Sequence, residues 1–195
     1  MNSQISLGFS SFFNRKKLFI FLTLLLAAYF SLPAASAQKR DNLTKEEDML
    51  VREAQEIDVR MKIFVKIIDR RFLALNDANA AESKQAQKDF NTWGALRTGT
   101  REEMLFDIQK TLDEIIRKID DIAERDQKNP LFPIAVHILA DGCRGFIPQL
   151  KTLQGKTAEP KEQMMISNSV DACNQIIEAS AKVPKEAAKE KKKKN

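Results

Sequence analysis

Six aliphatic residues, Leu105, Ile108, Leu112, Ile115, Ile119 and Ile122, recur at intervals of 3, 4, 3, 4 and 3. At 3.6 residues per helical turn this spacing puts all six on one face, whereas a strand would scatter them over both. Such a stripe has to be covered by another apolar surface, and the chain supplies several. Leu50, Ala54, Ile57, Met61, Phe64 and Ile68 recur at 4, 3, 4, 3 and 4, with Phe72 and Leu75 beyond, and neither Gly nor Pro interrupts Thr44 to Leu75. Thr44 with Glu47 three residues on is a capping box, so the spacing predicts one helix from there to Leu75. Thr100 with Glu103 opens the helix of the first stripe in the same way and carries it to about Asp126.

Two further helices and a shorter one follow from weaker patterns. Asn129-Pro130 reads as an N-cap with Pro at the first helical position. Leu131, Ala135, Ile138 or Leu139, Cys143, Phe146, Leu150 and Leu153 continue from it, interrupted by Gly142, Gly145 and Pro148. Pro148 lacks an amide donor and crowds the carbonyl of Arg144, which predicts a kink or a break. Pro160 starts a last helix to about Ala181 on the stripe Ile166, Val170, Cys173, Ile177. A shorter helix is expected within Ala81 to Arg97, on Ala86, Phe90 and Trp93 before Gly94. No segment alternates apolar and polar residues as a strand would. The expected fold is therefore all-α, an up-and-down antiparallel bundle of four long helices plus one shorter helix, kinked near Gly142-Pro148. Monomer and homodimer both fit, because Ile63, Val65 and Ile67 lie outside the main stripe of their helix.

Both ends differ from this body. Arg15-Lys16-Lys17, the apolar run Leu18 to Phe30 and the small residues of Pro33-Ala34-Ala35-Ser36-Ala37 have the order of a secretion signal cleaved after Ala37. The run is 13 residues, too short for a hydrocarbon layer of about 30 Å at 1.5 Å per residue. The organisation expected is a cleavable signal over 1–37, a helical domain over 38–181 and a disordered Lys-rich tail over 182–195. It places the mature chain in the periplasm or outside the cell, with no transmembrane helix after cleavage. The chain's net charge is +5, but seven Lys and two Glu fall in the tail, and 22 basic residues face 25 acidic ones in 38–181. A body of that balance gives no basic face, so specific nucleic-acid binding is not expected. Lys189, Lys191, Lys192, Lys193 and Lys194 are instead the expected contacts to an anionic surface.

Cys143 and Cys173 are the only cysteines, and an exported pair is expected to join as a disulfide. With a single His, neither a haem site nor a di-iron carboxylate site can be assembled, and no spacing suggests zinc. His137 and Asp141 share a helical face at i, i+4, but no nucleophile accompanies them. Gly155-Lys156-Thr157 lacks the earlier glycine of a phosphate loop and reads as a helix-capping turn. Lys62, Lys66 and Arg70 form a basic ridge, facing either solvent or the acidic residues Asp113, Glu114, Asp120, Asp121 and Glu124. The expectation is a protein without catalytic site, metal or cofactor, acting as a structural, adaptor or chaperone-like partner of another envelope protein or anionic envelope component. The alternative is a small-molecule or lipid-binding bundle with a cavity near Gly142 lined by Ile138, Phe146 and Met165.

Overall fold

The computed structural model describes residues 41–77, 79–126 and 128–184. The signal at 1–37 and the lysines from Lys189 onward lie outside them. The described residues form helices α1 (Lys45–Glu53), α2 (Ile57–Asn76), α3 (Lys84–Trp93), α4 (Arg101–Arg125), α5 (Phe132–Gln154) and α6 (Pro160–Ala181), with a 3₁₀ turn at Ala80–Glu82. The fold is all-helical, as the periodicities require.

Local chemistry sets the helix starts. In both capping boxes the Thr hydroxyl accepts the N–H of the Glu, and the Glu carboxylate accepts the N–H of the Thr, at Thr44/Glu47 and at Thr100/Glu103. Asn129 does not cap a helix. Its Oδ1 accepts the N–H of Leu131 at 2.9 Å in an Asx turn, and α5 begins at Phe132 with Pro133 in its first turn. The expected break at Pro148 is absent, since α5 runs through it. Pro148 and Arg144 are both exposed, so the carbonyl deprived of its helical donor lies where solvent can reach it. Gly155 ends the helix.

The single helix expected over Thr44 to Leu75 is two, α1 and α2, parted at Ala54, whose backbone is extended. The stripe gave no warning, because Val51, Ala54 and Ile57 are all buried and the period continues across the break. Arg60 closes the corner by donating from Nε and Nη2 to the carbonyl of Ala54, at 3.1 and 2.6 Å.

The helix order also departs from expectation. α2 packs on α4 and on α5, and α6 packs on the same two, whereas α4 and α5 touch only lightly. Arg71 meets Asp107 while Ile57 and Ile122 share a groove, so α2 and α4 run antiparallel. Arg101 meets Glu162 and Ile119 and Ala179 line one pocket, so α4 and α6 run side by side in the same direction. α5 and α6 form an antiparallel hairpin. The successive helices α4 and α5, expected as neighbours, thus lie across the core from each other. Gly142 explains why α5 seats on α2, because a Cβ there would come within 2.9 Å of Val65 Cγ2. The core is made by Met61, Phe64, Ile68, Leu105, Ile108, Leu112, Leu139, Phe146, Leu150 and Ile166 with their neighbours. Among the described residues no helix is long and apolar enough to cross a membrane.

Candidate functional site

The largest fully buried side chain is charged: Arg71, with no solvent exposure. Its position follows from the α2 stripe, because Phe64, Ile68, Arg71 and Leu75 continue the 4, 3, 4 spacing. A guanidinium brought into the core by its own helix needs counter-charges there. Glu47 supplies the first: Arg71 donates from Nη1 to Oε1 at 2.8 Å and from Nη2 to Oε2 at 2.5 Å. Asp107 of α4, also fully buried, stands 3.4 Å from Arg71 Nε and 2.8 Å from Arg97 Nε. Arg71 Nη2 further donates to the carbonyl of Asn42 at 3.0 Å, and Arg97 donates to that of Asp41.

Glu47 therefore has two tasks, since Oε2 also accepts the Thr44 N–H at 3.0 Å as part of the capping box. Burial alone would push its carboxyl up, but the hydrogen bond and charge of Arg71, the Thr44 N–H and the charge of Arg70 outweigh it and hold the group below the usual carboxylate value. It stays ionised at neutral pH and is no proton acceptor there. Arg70, 2% exposed, extends the cluster to the next segment. Its Nη2 donates to the carbonyls of Gly94 and Ala95 at 3.1 and 3.0 Å, and its guanidinium stands 5.9 Å from the Trp93 ring centroid. Asp89 is 3.9 Å from Arg70 Nη1 and 3.0 Å from Lys66 Nζ. These ions tie α1, α2, α3, α4 and the segment 94–97 to one another.

Beside this cluster a surface cleft of about 370 Å³ opens between the end of α2 and the start of α4. Leu75, Leu96 and Met104 give it apolar walls, and Asp77 and Arg97 give it one charge of each sign. Thr98 and Gly99 complete its lining, at the segment that leads into α4.

Cys143 of α5 and Cys173 of α6 are both buried and come within hydrogen-bonding reach of each other. A hydrogen bond with Cys173, then burial, push the Cys143 thiol far above its ordinary value. The expected disulfide is not formed in the structure, where both are free thiols in contact and not at bonding distance. His137 and Asp141 are not brought together: His137 Nε2 lies 3.1 Å from the carbonyl of Val183, and Asp141 pairs with Arg144 at 2.5 Å. The basic ridge divides along its length, with Lys62 exposed to solvent as expected and Arg70 buried. Lys62 pairs with Asp58 of its own helix at 3.0 Å, Lys66 with Asp89 of α3, and Arg70 with Glu47 of α1 and Asp89 of α3. The space near Gly142, where a cavity was considered, is filled by Val65, and Phe146 and Met165 belong to the core. Among the described residues no group of three or more His, Cys, Asp or Glu is placed to hold a metal ion.

Sequence reasoning missed the cluster, although its signal was present. Glu47 and Arg71 occupy apolar-stripe positions, and Asp107, Thr111 and Glu114 form a polar stripe at 4 and 3 beside the apolar one. Asn42 bonds the last two, at 3.3 and 3.4 Å. Compared with known proteins, the chain matches no family model, no curated protein and no solved structure.

Proposed function

We propose that this is an exported helical-bundle protein with a structural, adaptor or chaperone-like interaction role and no catalytic site. In this reading 1–37 is removed on export to the periplasm or beyond, 38–181 is the helical domain that remains, and the Lys-rich tail contacts anionic envelope components.

The observation that carries it is the division of labour among side chains. The buried ions of α1 to α4 are spent on one another, while large apolar side chains remain exposed on helix faces: Phe90 at 58% and Met49 at 51%. These two belong to α3 and α1, which pack together, and an exposed aromatic with an adaptable Met is the usual composition of a contact surface. The test is cross-linking in intact cells from photoreactive residues placed at Phe90 and at Lys151, a control on the exposed side of α5. A discrete adduct specific to position 90 supports the reading, and identical adducts from both positions overturn it. N-terminal sequencing of the exported product, expected to begin at Gln38, tests export separately.

A second reading, a small-molecule or lipid-binding protein of the envelope, is favoured by the cleft beside Arg97. A ligand seated there would raise the melting temperature in proportion to the logarithm of its concentration. The tail has its own test, because removing 189–195 should abolish sedimentation with anionic vesicles at low salt.

A further inference from the structure

The register of the α5–α6 hairpin places its two cysteines level with each other. Cys143 stands twelve residues before Gly155, where α5 ends, and Cys173 thirteen residues after Pro160, where α6 begins. At 1.5 Å per residue both lie about 18 to 20 Å from the turn. Leu139 and Phe146 flank Cys143, and Ile166 and Ile176 flank Cys173, all in the core. The thiols are 1% and 0% exposed. Proximity favours a bond between them, while burial denies access to any reagent that would form or break it.

We infer that Cys143 and Cys173 are a disulfide site whose redox state is fixed while the hairpin is still open and sealed when α5 and α6 pack. The oxidant is a small-molecule or protein disulfide. One cysteine thiolate attacks a sulfur of that disulfide, forming a mixed disulfide and expelling one thiolate. The second cysteine then attacks the protein sulfur of the mixed disulfide, and the second thiolate leaves. Two electrons pass to the oxidant and the two thiol protons go to its two released thiols. In the mixed disulfide the oxidant is attached to a sulfur that the packed hairpin has no room to expose, so this intermediate belongs to the unpacked chain. The closed bridge is shielded from reductants by the same packing, and an exported chain that meets its oxidant before folding keeps the bridge.

The test separates the order of events. The full chain is reduced in denaturant and refolded with oxidised glutathione present from the start, or refolded first and exposed to it afterwards, and both products are read by intact mass and by thiol titration in denaturant. The first is expected to be lighter by two hydrogens with no titratable thiol, and the second unchanged in mass with two. Cys173→Ala, treated by the first route, is expected to carry one glutathione on Cys143, which reports on access even where the bridge cannot form. Two free thiols after the first route, or oxidation of the folded protein as fast as of the unfolded chain, would overturn the inference.

Discussion

The guanidinium of Arg71 closes on the carboxylate of Glu47 through two hydrogen bonds, with both side chains wholly out of solvent. The two residues are 24 apart in the chain, which along one continuous helix would separate them by about 36 Å. Their pairing therefore requires the chain to turn back at Ala54, and it accounts for α1 and α2 being separate helices.

Removing one partner leaves the other charged in the core. Glu47→Gln or Arg71→Met is expected to cost about 3–5 kcal/mol in urea unfolding. The double variant Glu47→Leu with Arg71→Met should cost clearly less than the sum, since Asp107 keeps Arg97. Additive losses would show that the two residues act independently.

Acid should unfold the protein through this pair. Glu47 titrates below its ordinary value when folded, so the unfolded chain takes up its proton first as the pH drops. Its contribution is complete above the ordinary carboxylate value of about 4.3 and is lost as the pH falls through the lower folded value. Asp89 is held low as well, because the hydrogen bonds from Lys66 and Gln85 outweigh its slight burial. The urea midpoint of the wild type should therefore fall steeply with acidification in this range, and that of Glu47→Gln should fall less.

Two glycines three residues apart should respond in opposite directions. Gly142→Ala forces a methyl within 2.9 Å of Val65 and is expected to destabilise by about 1–3 kcal/mol. Around Gly145 nothing lies within 4 Å of a new Cβ, so Gly145→Ala should stabilise by up to about 1 kcal/mol from helix propensity. Thermal melts of the two variants decide it.

Arg70 holds the segment after α3 by its backbone. Arg70→Lys keeps the charge but cannot reproduce the guanidinium geometry on the carbonyls of Gly94 and Ala95. Amide exchange at Leu96 and Thr98 is expected to quicken by on the order of tenfold while α6 exchanges as before. Unchanged exchange at Leu96 would show that Arg70 does not restrain the segment.

The helices of this fold were legible wherever a stripe opened on its own start signal, a capping box at Thr100 and a first-turn proline at Pro160. What escaped was set by partners far along the chain. Ala54 is non-helical because Glu47 has to reach Arg71, and no local pattern contains that distance. Arg71 itself was readable as a cation at a stripe position, but its counter-charges were not, because Asp107 comes from another helix. The cysteines were readable as core residues of two stripes, and their meeting depends on a register that the turn at 155–159 sets.

Because α4 and α5 lie across the core from each other, the chain builds two hairpin-like pairs, α2 with α4 and α5 with α6, and among the described residues each pair gives the other most of its apolar cover. Neither half can hold its structure alone, so unfolding should be a single event for both. The connection between Arg125 and Phe132 then governs how quickly the halves find each other. Lengthening it should slow folding while leaving the equilibrium within about 1 kcal/mol of its starting value, since each doubling of a loop costs only about 0.6 kcal/mol.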